Sequence, residues 1–291
     1  MSETPLNVMP SEILAGEPDA PGLVASILSV MRDRTGVDFS RYRPAMVRRR
    51  IVNRMISLGV SSLERYHELL CASEAEPHAL LERVSIKVSG FYRNPGTFDL
   101  LRNRVLPSLA KACTGRAVRI WSVGCARGEE PYTLAMLLDE ARMDGIVEAT
   151  DIEPGALTAA HAGIYGEERL AQLPADLVAR YCEPLAGGDR TRYSIRPAVR
   201  DRVRFSQHDI LGESTPPGGE RFDLVSCRNV LIYLQVSVQD AVFRTILEHL
   251  RPDAYLCLGE AEWPCRSAEH RFTTIDSEAR VFALSEEKRG P

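Results

Sequence analysis

From Leu23 to about Val84, apolar residues recur at helical spacing, with Leu23, Ile27, Val30 and Met31 on one stripe and Val47, Ile51, Met55 and Leu58 on another. Gly59 stops the second stripe, and Ser61-Ser62 supplies an N-cap for a segment carrying Tyr66, Leu69 and Leu70. This predicts a small all-α domain over residues 22–85. Before it, residues 1–21 mix prolines with acidic residues and have too little apolar periodicity to bury a face, so they read as a flexible tail. Residues 86–97 read as a linker, and from residue 98 onward helical and strand periods alternate. A helix over Phe98–Ala112 precedes a strand from Val118, a helix through Ala135–Ala141, a strand over Ile146–Thr150 and a helix over Gly155–Ala162. Later, Val203–Gln207 and Phe222–Cys227 read as strands, Val238–Leu250 as a helix, and Tyr255–Leu258 and Arg280–Leu284 as strands. That βαβ order predicts an α/β domain over 98–291 with a mainly parallel sheet and a terminal hairpin. Tyr193, Ile195, Val199 and Val203, around Gly187-Gly188, predict a small β insertion at 181–203.

Composition narrows the function classes. A chain of 291 residues with 44% hydrophobic content can bury a sizeable core. The net charge of −4 implies no global attraction to nucleic acid or membrane. Seven cysteines with no C-x-x-C pair and no metal-ligand spacing read as reduced thiols, and no metal site is expected. No run approaches a membrane span, and the N-terminus lacks signal-peptide regions, so a soluble cytoplasmic monomer is expected.

Candidate chemistry centres on residues 119–133, where an apolar strand enters a turn flanked by Gly124 and Gly128 and then a helix that opens with Glu129 and Glu130. Glycines let the backbone approach a ligand, but two carboxylates at a helix N-terminus repel phosphate. The expected guest is cationic or neutral and rich in hydroxyls. Asp151 ends the next strand, where an acidic side chain can accept both hydroxyls of a ribose, and His208 and Asp209 end another strand, positioned to face an adenine edge. An adenosine pocket without a phosphate cradle fits S-adenosylmethionine better than NAD or ATP. Cys125 and Cys227 flank these segments, where they either pack as small residues or confer sensitivity to thiol reagents.

Five segments in order then resemble the CheR family of chemotaxis methyltransferases: Thr35-Gly-Val-Asp-Phe-Ser40, Phe91-Tyr-Arg-Asn94, Gly128-Glu-Glu-Pro-Tyr132, Thr150-Asp-Ile152 and Cys227-Arg-Asn-Val-Leu-Ile-Tyr233. The resemblance implies an N-terminal helical domain and a class I, Rossmann-like S-adenosylmethionine-dependent methyltransferase domain carrying a small antiparallel β subdomain. It implies that Ser89 and Arg93 contact the cofactor's amino-acid end, that Glu129 lies in its pocket, and that Lys87, Gly124 and Arg228 also bind the cofactor. Asp151 would hold the ribose, and Asp209 and Ile210 would lie near the adenine. Arg93, Arg228 and Tyr233 would serve methyl transfer. Lys87, Arg127 and Ala261 depart from the family's common asparagine, small hydroxyl residue and serine.

The activity so implied is esterification of glutamate side chains on the cytoplasmic helices of methyl-accepting chemoreceptors, with S-adenosyl-L-homocysteine as the other product. A glutamate of pKa about 4.3 is already ionised at neutral pH, so no catalytic histidine is needed. A planar guanidinium at Arg93 or Arg228 suits a carboxylate, and Tyr233 suits orientation of the reactants by one neutral hydrogen bond. Arg50 and Arg54 share a helix face at i, i+4, flanked by Arg48 and Arg49, which in this family context predicts a docking surface for acidic receptor helices. The patch lacks the interleaved aromatics that nucleic acid would favour. Two other readings are a non-catalytic S-adenosylmethionine-binding signalling module and a methyltransferase of this fold acting on another carboxylate.

Overall fold

The computed structural model describes residues 20–85, 89–186, 191–212, 215–216, 218–219 and 221–285. Helical periodicity in the first part of the chain becomes α1 (Ala20–Thr35), α2 (Pro44–Ser57), α3 (Leu63–Ala72) and α4 (Glu76–Val84). Pro44 and Pro77 sit in first turns, where a missing N–H is harmless. Ser62 caps α3 by accepting the Arg65 N–H at 3.2 Å. Ile27, Met31, Val47, Ile51, Met55, Tyr66 and Leu70 are buried. The expected stripe on α2 stops at Met55, because Leu58 lies past the last helical turn and is 39% exposed.

Within this unit Glu76, at the start of α4, receives Arg54 through two hydrogen bonds of 2.9 and 2.6 Å and the Tyr66 hydroxyl at 2.9 Å. Arg54 is therefore an internal cross-link, which corrects its expected place on a docking face; helical spacing alone could not reveal the carboxylate brought by another helix. Burial opposes the charge on Glu76, but hydrogen bonds from Arg54 and Tyr66 outweigh it and lower its pKa. Its stabilisation is present above the ordinary value near 4.5 and is lost as pH falls through the lowered one. Arg54→Glu should cost the helical unit about 3–5 kcal/mol by leaving a buried carboxylate facing another. Urea denaturation followed by circular dichroism checks this, and an unchanged midpoint would refute the cross-link.

Contacts group Tyr233–Gln235 with this helical unit, whereas Lys87–Ile232 and Val236–Pro291 form a second unit. The Arg43 N–H donates to the Tyr233 carbonyl at 2.9 Å, and the Gln235 N–H donates to Arg41 at 3.0 Å.

In the second unit the expected helix from Phe98 is α5 (Pro95–Leu100), a π turn (Leu101–Val105) and α6 (Leu106–Ala112). The ladder widens just before Pro107, which has no N–H to continue it. Next come β1 (Val118–Val123), α7 (Glu129–Glu140), β2 (Gly145–Asp151), α8 (Pro154–Ala162), β3 (Ile164–Gly166), a 3₁₀ turn (Glu167–Leu170), α9 (Ala175–Tyr181), β4 (Cys182–Leu185) and β5 (Arg192–Ile195). The chain ends with α10 (Pro197–Arg200), β6 (Val203–Gln207), β7 (Phe222–Cys227), α11 (Val236–His249), β8 (Leu250–Leu258), β9 (Phe272–Asp276) and β10 (Val281–Leu284).

Seven strands form one sheet in the order β6-β2-β1-β7-β8-β10-β9, parallel except for the β8-β10-β9 edge. The class I methyltransferase reading of the sequence matches this mixed sheet and its separate antiparallel sheet, β3-β5-β4. The insertion is drawn differently from expectation. Its third strand, β3, comes from residues before 181, while Val199 belongs to α10 and Val203 opens β6. Gly187 and Gly188 lie outside the described residues.

Both sheet neighbours of β1 matter for function. The chain moves from β1 outward to β2 and β6, then returns to β7 on the other side. In such sheets ligands bind beyond the carboxyl ends of the strands at this reversal.

Candidate cofactor site

β1 delivers the turn 124–128 to that edge. Gly124 has φ +67°, and a Cβ there would lie 2.6 Å from Val230 Cγ2. Gly128, at φ +92°, caps α7 where a Cβ would crowd Ala160 and the Tyr165 hydroxyl at 3.0 and 3.1 Å. Non-glycine residues with positive φ gather nearby, Tyr92 (56°), Asn94 (63°), Ala126 (49°) and Asn229 (59°), a concentration of backbone strain of the kind that functional sites carry.

Asp151, the last residue of β2, holds the strained turn in place. Its Oδ2 accepts the Ala126 N–H at 2.8 Å, and its Oδ1 accepts the Glu153 N–H at 3.0 Å. Its carbonyl accepts the His208 N–H at 3.0 Å, tying in the end of β6. A carboxylate at a strand end is an acceptor group of the kind that ribose hydroxyls require. Asp209 turns back to accept the Leu211 N–H at 2.9 Å, and Ile210 beside it is buried. Burial holds the His208 imidazole below its usual pKa.

The two carboxylates that open α7 have different surroundings. Glu130 accepts the Ser122 hydroxyl at 2.8 Å on one oxygen and Arg228 at 3.2 Å on the other. Glu129 is fully buried, with Arg169 3.4 Å from its Oε1 and, among the described residues, no hydrogen-bond partner on its Oε2. Burial raises its pKa, opposed by its own backbone N–H, Arg169, the Ser89 hydroxyl and Arg127.

Arg228, just past β7, has a side chain only 2% exposed. Besides Glu130 it reaches the Arg93 carbonyl at 2.8 Å and Asn94 Oδ1 at 2.7 Å, with its guanidinium 5.0 Å from the Phe98 ring centroid. Both terminal nitrogens thus reach protein acceptors, while the buried Nε has none among the described residues. Arg228 fastens the 93–94 corner to β7 and α7.

The loop after Arg228 is pinned by a residue whose role the sequence does not reveal. The Glu262 carboxylate, 3% exposed, accepts the N–H groups of Gly259, Asn229 and Ile232 at 2.7, 2.8 and 3.1 Å. Burial raises its pKa against the pull of these amides. Ala261 beside it is exposed.

Among the other expected residues, Ser89 offers its carbonyl to Arg169 at 2.8 Å, while Lys87 lies outside the described residues. Tyr233 ends the 3₁₀ turn Leu231–Tyr233. Arg127 is exposed, as its place in a turn allows. Arg49 is exposed, and Arg48 and Arg50 are half-buried. Cys125 and Cys227 are buried with thiol pKa values well above the ordinary one, so packing rather than reactivity describes them. Among the described residues no group of three His, Cys, Asp or Glu is arranged to hold a metal, and no helix is long and apolar enough to cross a membrane.

This donor set fits S-adenosylmethionine. A buried carboxylate oxygen without a donor among the described residues suits an α-ammonium, Asp151 at a strand end suits ribose hydroxyls, and the acidic helix start disfavours a phosphate.

Comparison with known proteins follows the same division of the chain. Residues 87–281 match the model for the CheR methyltransferase SAM binding domain, and residues 24–85 match the CheR methyltransferase all-alpha domain. An uncharacterized 104.1 kDa protein of Rhodobacter capsulatus is 37% identical over 91% of this chain, which spans 27% of that protein. A chemotaxis protein methyltransferase of Listeria monocytogenes is 30% identical over 85% of this chain and 92% of its own length. A probable biofilm formation methyltransferase of Pseudomonas putida is 32% identical over 80% of this chain and 54% of its own length.

Proposed function

The chain belongs to the CheR methyltransferase family, and from that premise we propose that this S-adenosylmethionine-dependent methyltransferase esterifies glutamate side chains of chemoreceptor cytoplasmic helices. The observation that carries the reading is the buried Glu129, one of whose oxygens has no donor among the described residues, together with Asp151 at the switch point of the sheet. Relatives named chemotaxis protein methyltransferases support the substrate class.

Bound S-adenosylmethionine supplies a methyl group on a sulfonium centre. Glu129 would take its ammonium and Asp151 its ribose hydroxyls, with Ser89, Arg93, Gly124, Asp209 and Ile210 completing the pocket. Arg228 and Glu130 neutralise each other, so neither presents an unbalanced charge to the reaction. The substrate carboxylate is ionised at neutral pH, and its attack neutralises opposite charges, so alignment in a dry pocket supplies the acceleration without a general base. By its resemblance to the family motif, Tyr233 orients the reactants. Tyr233→Phe should lower turnover about tenfold or more while changing S-adenosylhomocysteine affinity little. Single-turnover rates beside equilibrium binding separate the two, and an unchanged rate would remove Tyr233 from the mechanism.

Arg48, Arg49 and Arg50 remain the docking residues for acidic receptor helices. The test of the function is transfer from methyl-labelled S-adenosylmethionine to purified receptor, followed by alkali. Volatile labelled methanol is expected; retained cofactor with no labelled receptor would instead mark a non-catalytic binding module. The likeness to a biofilm formation methyltransferase favours, as a second reading, the same ester chemistry on a signalling receptor outside chemotaxis.

A further inference from the structure

Arg169 lies outside every motif of the family resemblance, yet it touches two walls of the cofactor site. It stands in the 3₁₀ turn Glu167–Leu170, directly after β3 of the small sheet. One terminal nitrogen donates to the Ser89 carbonyl at 2.8 Å and lies 3.4 Å from Glu129 Oε1. The Arg169 carbonyl also accepts the Phe91 N–H at 3.3 Å. Tyr165, in β3, donates its hydroxyl to the Arg127 carbonyl at 2.6 Å and packs edge-on against Phe91 at 4.8 Å between ring centroids. The root of the small sheet therefore holds both the 89–91 segment and the glycine turn.

Glu129 is fully buried, whereas the Arg169 side chain is 34% exposed. A buried carboxylate without a cation tends to take up a proton, and a protonated one binds an ammonium poorly. Arg169 engages Oε1, and among the described residues Oε2 has no donor.

We infer that Arg169 is a positioning residue for cofactor capture, fixing Oε1 of Glu129 and the Ser89 carbonyl so that Oε2 is presented to the cofactor's α-ammonium. The inference rests on the placement of that ammonium at Glu129 proposed above. It also makes the small sheet part of the cofactor site's support, since Arg169 follows its first strand.

Two ligands separate this role from general structural support. S-adenosylhomocysteine carries the amino-acid end, and 5′-methylthioadenosine lacks it. Arg169→Gln should weaken S-adenosylhomocysteine about tenfold or more, as expected for loss of a charge-assisted contact, and 5′-methylthioadenosine less than about twofold. Arg169→Lys should restore most of the loss, because an ammonium can still serve Ser89 and Glu129. Equal weakening of both ligands by Arg169→Gln, or no weakening of either, would overturn the inference. Glu129→Gln in parallel tests the underlying placement: if it leaves S-adenosylhomocysteine affinity intact, the ammonium is not at Glu129. If it weakens S-adenosylhomocysteine while Arg169→Gln does not, the placement stands and the role of Arg169 fails.

Discussion

Arg228→Ala should destabilise the second unit by about 3–5 kcal/mol, the range for removing one partner of a buried ion pair. The change strips Glu130 of its cation and the Arg93 carbonyl and Asn94 Oδ1 of their shared donor. Among the described residues Glu130 then keeps the Ser122 hydroxyl, in a site where its side chain is 14% exposed. The Phe98 face also loses the guanidinium stacked over it. Arg228→Lys should recover only part of the loss, because an ammonium cannot reproduce the fork that reaches Glu130 and the 93–94 corner together. Chemical denaturation measures both variants. A wild-type midpoint for Arg228→Ala would mean that the network contributes nothing, and Arg228 would return to consideration as a free ligand for the cofactor.

A second large effect is expected at Glu262, although the residue stands outside the proposed ligand contacts. Its carboxylate is the acceptor for three backbone N–H groups, one of them on Asn229 at φ +59°. Glu262→Gln preserves shape but turns an NH₂ group toward one or two of those amides, at a cost of about 1–3 kcal/mol for each buried donor left without an acceptor. The released loop carries Val230, which packs where a Cβ on Gly124 would lie, so the glycine turn should loosen with it. Lower stability together with weaker S-adenosylhomocysteine binding is the expected pair of results. A stable variant with full affinity would show that the loop holds its shape unaided.

The parts of this molecule that were legible in the sequence are those determined locally. A strand, a glycine turn and a helix opening with two carboxylates follow from residues 119–133, and Asp151 falls at a strand end because periodicity locates β2. Residues whose role depends on a distant partner were not legible. Arg54 looks like a surface arginine on a helical wheel until Glu76, 22 positions later, is folded against it. Arg228 looks like a free fork until Glu130 and the 93–94 corner close on it. Arg169 and Glu262 carry no local signal, since their significance lies in backbone groups they meet across the fold. Strand β9 carries no strand signal either, because an edge strand with exposed Thr273 and Thr274 lacks the apolar run of a central one.

The site itself is tested most directly by titrating S-adenosylhomocysteine into the wild-type chain and into Asp151→Asn. The asparagine can accept through only one oxygen and turns an NH₂ group toward either the ribose or the backbone donors of Ala126 and Glu153. Saturable binding by wild type and a loss of about tenfold to a hundredfold in the variant is the predicted result, as for one or two charge-assisted hydrogen bonds. Equal affinity in the two proteins would place the ribose elsewhere and contradict the site at the switch point of the sheet.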